Sequence, residues 1–180
     1  MTDSVLLALP SKGAIAEPTL SFLRDCGLRV EKPNERQYVG NVPSIPNLNV
    51  LFQRVKDVVY KVSDGTVQLG ITGFDVVREH PHNDLVVMHE GLGYGFCKLV
   101  VAVPESWVDV DGMADLSDVA ADLRRLHGRS LRVATTYTGL ARQFLHSRGI
   151  HHFSLVRAEG AIEAAPSIGY ADSVVDLVQT

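Results

Sequence analysis

The sequence predicts an α/β protein with largely parallel strands, built as two lobes. Short continuous apolar runs alternate with amphipathic helical stretches, the pattern of strands buried beneath helices. Glycines stand where the helical stretches should stop, as at Gly27, Gly65 and Gly149. At 180 residues and 46% hydrophobic content, the chain can bury a core as one domain or two small lobes.

Val5 to Pro10 is continuously apolar, as expected of a strand covered on both faces. Ser11-Lys12-Gly13 turns the chain, and a helix follows through Pro18, Leu20, Leu23 and Cys26 to a stop at Gly27. Gln37 to Val42 and Val50 to Val55 read as strands, Asp57 to Val62 as a helix ended by Asp64-Gly65. Val67 to Thr72 reads as the next buried strand, with Gly73 leading into a helix over Phe74 to Glu79. Lys98 to Pro104 is a long strand that would carry the chain into a second lobe at Cys97. There Leu116 to Leu126 is helical and Leu131 to Ala134 is a strand. Leu140, Phe144 and Leu145 share a helical face ending at Gly149, and Phe153 to Val156 is a strand. Ser173 to Val178 would return to the first lobe. The expected division is therefore 1–97 plus 171–180 for lobe I and 98–170 for lobe II. Two crossings would leave a hinge and a cleft, a usual place for a ligand.

Composition narrows the function classes. A net charge of −4 with no Lys/Arg-rich run argues against bulk nucleic-acid binding. The two cysteines, Cys26 and Cys97, show neither a CxxC spacing nor a Cys/His ligand pattern, which leaves a disulfide framework and a zinc site poorly supported. Met1 to Ser4 runs directly into a strand-like segment without a basic, then apolar, leader, and no window is long enough to span a membrane. The expectation is a cytoplasmic protein.

The most informative stretch is Glu159 to Asp172, running into Ser173 to Val178. It places a Gly-led turn after a strand, then a short helix start, a Gly stop, and a strand with Asp176 among apolar residues. Backbone N–H groups at a helix start point outward unpaired and carry partial positive charge, so this order makes an anion cradle. An ordinary strand-to-helix connection uses the same residues. Asp176 is harder to assign to structure alone, because a carboxylate in an apolar strand requires a partner or a site.

Taken together, these pieces resemble the catalytic region of the ATP phosphoribosyltransferase family. Ala8-Leu9-Pro10-Ser11-Lys12-Gly13 is similar to its opening strand and turn, and Asp64-Gly65 followed by Leu69-Gly70-Ile71-Thr72-Gly73-Phe74-Asp75 to its Gly-Ile-Thr-Gly-x-Asp signature. Leu92 to Leu99 resembles the segment entering the second lobe. Glu159 to Val178 resembles the phosphoribosyl-pyrophosphate signature through Glu163, Ala165-Pro166, Gly169, Ala171-Asp172 and Asp176-Leu177-Val178.

The resemblance implies a two-lobed fold like that of type II periplasmic binding proteins. It also implies a reaction in which N1 of the ATP adenine attacks C1 of phosphoribosyl pyrophosphate and pyrophosphate leaves with Mg2+, opening histidine biosynthesis. Such chemistry asks the protein for positioning and electrostatics. The implied catalytic residues are Asp176, Glu163 and Lys12. Gly160, Ala161, Ile162, Glu163 and Ala164, with Thr135 and Tyr137 opposite, would take phosphoribosyl pyrophosphate. Lys12, Gly13, Arg54, Gly70, Thr72 and Gly73 would take ATP. Metal ligands are not assigned. The implied partners are the two substrates, further copies of the chain, and a separate synthetase-like regulatory subunit, with no nucleic acid and no membrane.

Each residue has a plainer reading. Lys12 fits a solvated turn, Arg54 an ion pair with Asp57, Asp75 a helix cap, and Asp172 a cap or brace at a strand start. Gly70 and Gly73 fit either close backbone approach to a ligand or turn duty. His151-His152 point to opposite strand faces, and Cys97 fits a small buried apolar residue. The pattern also departs from the family. Ala14 stands where an Arg is usual and Glu159 where a small polar residue is usual, and the family continues past Thr180 with a Ser/Thr-Gly turn. A catalytically inactive nucleotide-binding module on the same fold is the alternative reading. A solute-binding role is a third, disfavoured by the missing leader.

Overall fold

The computed structural model describes residues 4–34 and 37–180; Met1 to Asp3, read above as leading directly into the first strand, lie outside that range. The chain divides into two compact units, Met1–Phe96 and Cys97–Thr180, each with its own four-stranded sheet.

The first sheet has the order β2-β3-β1-β4. β1 (Val5–Pro10) runs parallel to β3 (Leu48–Gln53) and to β4 (Leu69–Gly70), and β2 (Val39–Asn41) pairs antiparallel with β3. The apolar run of β1 makes it a central strand, with Ala8 and Leu9 fully buried. β3 alternates strictly, burying Leu48, Val50 and Phe52 against Leu23 of α1 (Ala16–Asp25). α2 (Val55–Ser63) packs on β1 through Val58, which meets Ala8 together with Val67 of the following loop, and α3 (Phe74–Glu79) follows β4. The segment before Cys97 is tied to α1 by Tyr94, whose hydroxyl lies 2.9 Å from that of the fully buried Thr19.

The second sheet has the order β5-β8-β6-β7. β6 (Leu131–Thr135) is parallel to β7 (Phe153–Arg157) and to β8 (Ser173–Gln179), and β5 (Cys97–Ala102) is antiparallel to β8. Leu116 and Ala120 of α4 (Met113–His127) and Ala141 and Leu145 of α5 (Thr138–Ser147) close one sheet face over Leu131, Val133 and Val175. The other face carries a 3₁₀ turn at Ile162–Ala164 and the short α6 (Ala165–Ile168), whose Ile162 and Ala165 pack with Ala134, Ala171 and Val174.

Three expectations are corrected. β8 does not return to the first unit: it lies between β5 and β6, with Val174 opposite both Ala102 and Ala134. The chain therefore passes between units once, at Phe96–Cys97, and residues 171–180 belong with the second unit. A strand with apolar side chains on both faces, as at Val174 and Val175, is satisfied only in a sheet interior, and the second sheet offers that slot. The Val67–Thr72 strand shrinks to Leu69–Gly70, both exposed, because it forms a sheet edge. Cys97 is exposed rather than buried, since it opens the outer strand β5 opposite Gln179.

Candidate active site

The sequence-derived residues fall into two groups, one in each unit. In the first unit, Lys12 and Gly13 follow β1, Arg54 follows β3, and Thr72 and Gly73 follow β4. They gather at the carboxyl edge of three mutually parallel strands, where open α/β sheets bind ligands. The edge is held by backbone and side-chain bonds: Ser11 N–H donates to the Gln53 carbonyl (2.7 Å), Ile71 N–H to the Ala8 carbonyl (3.0 Å), and the Thr72 hydroxyl to the Val55 carbonyl (2.8 Å). Lys12 and Arg54 are exposed, and Gly13 adopts φ 94°, a left-handed turn that favours glycine.

Gly70 and Gly73 make room for the protein itself. A Cβ on Gly70 would come within 2.6 Å of Val58 and 3.0 Å of Val62, so its bareness lets α2 lie close on β4. A Cβ on Gly73 would collide with the carboxylate of Asp75. Asp75 sits in the first turn of α3, and burial pushes its carboxyl up against hydrogen bonds from the Val76 and Asp75 N–H groups. Close packing by α2 and the Asp75 carboxylate thus each require a residue without a side chain at these positions. Gly70→Ala should overpack this contact and cost about 1–3 kcal/mol, read as a lower urea midpoint with unchanged slope.

In the second unit, Thr135 and Tyr137 follow β6 and the 158–161 turn follows β7, side by side. Thr135 is fully buried, and its hydroxyl accepts the Tyr137 N–H (3.0 Å) at the start of α5; the Thr136 hydroxyl donates to the Ala158 carbonyl (3.0 Å). The Thr135 side chain therefore shapes the turn and is not open to a substrate. Gly160 (φ 71°) and Ala161 (φ 43°) are both left-handed, and Ala161 is the one non-glycine with positive φ among the described residues. Such a conformation is strained for an L-residue and gathers at functional sites. Ile162 turns into the core, Ala164 is half-buried, and Glu163 is exposed.

Glu163 and Asp176 line one cleft of about 780 Å³ on the sheet face away from α4 and α5. Its floor is the same-face series Val100, Ala102, Val174, Asp176 and Val178, and its walls are 103–107 and the segment from Ile162 to Asp172. Asp176 is half-buried, and its Oδ1 accepts the Leu177 N–H (2.8 Å). Gly160, Ala161 and Ala164 are not among the residues lining this cleft.

Arg132 was missed in the sequence, and it is the only Lys or Arg in the cleft lining. Its signal was available: an arginine at an alternate position of the apolar strand LRVAT needs a partner just as Asp176 does. That partner is Asp172, 9% exposed, whose Oδ2 accepts the backbone N–H of Arg132 (2.8 Å). Its two oxygens also accept Nε (3.3 Å) and Nη2 (2.9 Å) of Arg132 and Nη1 (2.6 Å) and Nη2 (3.3 Å) of Arg129. Burial alone would push the carboxyl up; the bonds from Arg132 and Arg129 outweigh it and hold Asp172 at about 2. Of the readings left open for Asp172, the brace is the one these contacts describe. Arg54 makes no ion pair with Asp57 among the described residues' salt bridges.

Among the described residues, no group of three or more His, Cys, Asp or Glu side chains is arranged to hold a metal ion, and no helix is long and apolar enough to cross a membrane.

Comparison with known proteins places the chain. The family model described as HisG, ATP phosphoribosyltransferase, matches residues 54–180. An ATP phosphoribosyltransferase of Brucella melitensis biotype 2 is 46% identical over 181 residues, covering 98% of this chain and 78% of its own. ATP phosphoribosyltransferase 2, chloroplastic, of Arabidopsis thaliana is 41% identical over 180 residues, which are 99% of this chain and 43% of the plant protein. The chain thus spans under half the length of that plant relative. The ATP phosphoribosyl transferase (HisG:HisZ) complex from Thermotoga maritima shares the fold, with a TM-score of 0.69 at 21% identity over 98% of this chain and 75% of that one. By the family model and by identity along nearly its whole length, this chain belongs to the HisG family of ATP phosphoribosyltransferases.

Proposed function

We propose that the chain joins ATP to phosphoribosyl pyrophosphate, the first step of histidine biosynthesis. The N1 lone pair of adenine forms a bond to ribose C1 as the bond from C1 to the pyrophosphate oxygen breaks, and pyrophosphate departs with that electron pair. The observation that carries this reading is the shared cleft of Glu163 and Asp176 in a member of this family. As C1 loses its leaving group, the ribose ring becomes positive, and the two carboxylates facing the cleft stabilise that charge. The strained Ala161 beside the Gly160 turn supports a phosphate position there. Lys12 and Arg54, exposed on the edge of the first sheet, supply positive charge for the ATP phosphates.

The cleft itself is acidic, with Glu105, Glu163, Asp172 and Asp176 against Arg132. Asp172 is engaged by the arginines, and the remaining carboxylates suit Mg2+ as outer ligands, since it takes hard oxygen ligands and retains several waters. Glu163 and Asp176 would hold it through those waters, and when bound it would neutralise charge on the leaving pyrophosphate. A homo-oligomer and a separate regulatory subunit belong to this reading; the similar solved structure is itself a two-component HisG:HisZ complex.

Mixing the folded protein with ATP, phosphoribosyl pyrophosphate and Mg2+ should release pyrophosphate, alone or with the regulatory partner. No release under either condition overturns the proposal. Calorimetric binding of phosphoribosyl pyrophosphate without turnover would instead support the inactive binding module, to which the substitution of Ala14 for a family Arg also points.

A further inference from the structure

Glu163 and Asp176 are far apart in local structure, one on a 3₁₀ turn and the other within β8, and the chain between them passes through Gly169 and Asp172. That passage is held from outside by two arginines at Asp172, of which only Arg132 also reaches Gly169. Arg132, the second residue of β6, donates Nη1–H to the Gly169 carbonyl (2.9 Å) and Nε–H and Nη2–H to the Asp172 carboxylate. Arg132 and Asp172 are bonded through the backbone as well: Asp172 N–H donates to the Arg132 carbonyl (2.8 Å), and Arg132 N–H donates to the Asp172 side-chain carboxylate (2.8 Å). Gly169 itself ends α6 in a left-handed turn at φ 90°. The planar guanidinium thus fixes both the stop of α6 and the start of β8, with a fork geometry that an ammonium group cannot reproduce.

We infer that Arg132 and Asp172 are positioning residues, a clamp that sets how the Glu163 turn and the Asp176 strand face each other across the cleft. The inference rests on the reading of Glu163 and Asp176 as site residues. Arg129 offers an internal control: it shares the Asp172 carboxylate, yet its other donor contact is to the Ser130 carbonyl, away from Gly169, and it does not line the cleft.

Trp107, the only tryptophan in the chain, lines the same cleft and reports on it without any substrate. The full chain is prepared as Asp172→Asn, Arg132→Lys and Arg129→Ala, and each is followed by Trp107 emission and by amide hydrogen exchange across 163–171. The clamp predicts that Asp172→Asn and Arg132→Lys move the emission to longer wavelength and speed exchange in 163–171, whereas Arg129→Ala changes neither even where it lowers the melting temperature. In the pyrophosphate-release assay, Arg132→Lys should lose about 10²-fold in kcat although its charge is retained, as expected for misplaced groups. Unchanged emission and exchange in the first two variants, or the same change in Arg129→Ala, would overturn the clamp and leave an ordinary fastening of β6 to β8. If the unmodified chain neither turns over nor binds phosphoribosyl pyrophosphate, the proposed reaction fails by itself, while emission and exchange still decide the clamp.

Discussion

Replacing Asp176 by Asn should lower turnover about 10²-fold while leaving the melting temperature within a few degrees of the parent. The amide matches the carboxylate in shape, and its oxygen can still accept the Leu177 N–H that Oδ1 accepts now at 2.8 Å. Ladder pairing with Val100 is a backbone matter and is untouched. The loss is the negative charge, which the proposed reaction uses most as the ribose becomes positive, the waters of Mg2+ still finding an acceptor in the amide oxygen. kcat should therefore fall with little change in KM, the signature of an interaction made in the transition state. Steady-state kinetics beside a thermal melt would test this. Equal loss of activity and stability would make Asp176 a structural residue.

The second large effect is an acid limb set by Asp172. Its carboxyl is held at about 2, below the ordinary aspartate value near 3.9, because the bonds from Arg132 and Arg129 favour the charged form more than burial disfavours it. A depressed folded-state value means the stabilisation is fully present above about pH 4 and is lost as pH falls toward 2. The arginine side chains are 44% and 37% exposed, so solvent screens part of the interaction. A contribution of roughly 1–2 kcal/mol remains after that discount from the full linkage value. Urea melts of the parent and Asp172→Asn should differ by this amount near pH 5 and converge near pH 2. A gap that persists unchanged at pH 2 would show that the carboxylate charge is not what stabilises this strand start.

How much was visible beforehand depended on the range of the interactions involved. Periodicity and punctuation located β1 at its observed bounds and α3 likewise, because apolar runs and glycine stops act locally. The ordered motifs also identified the family, since they record backbone needs repeated along the chain. Strand order is not a local property. Nothing within Ser173–Gln179 says which sheet it enters, and that was settled by an interior slot between β5 and β6. Edge or centre is equally non-local, so β4 and Cys97 were expected buried and lie exposed.

The candidate site divides along the same line. By itself the sequence determined the class, the family, the residue types at each turn, and the need of Asp176, a carboxylate in an apolar strand, for a partner or a site. Only the tertiary structure decided that Glu163 and Asp176 share a cleft, that Gly70 serves α2 and Gly73 serves Asp75, and that Arg132 grips Asp172 and Gly169. The reason is physical: a side chain's need for a partner is written in its chemistry and its neighbours along the chain, but which partner meets it depends on contacts some forty residues away that exist only once the sheet has closed.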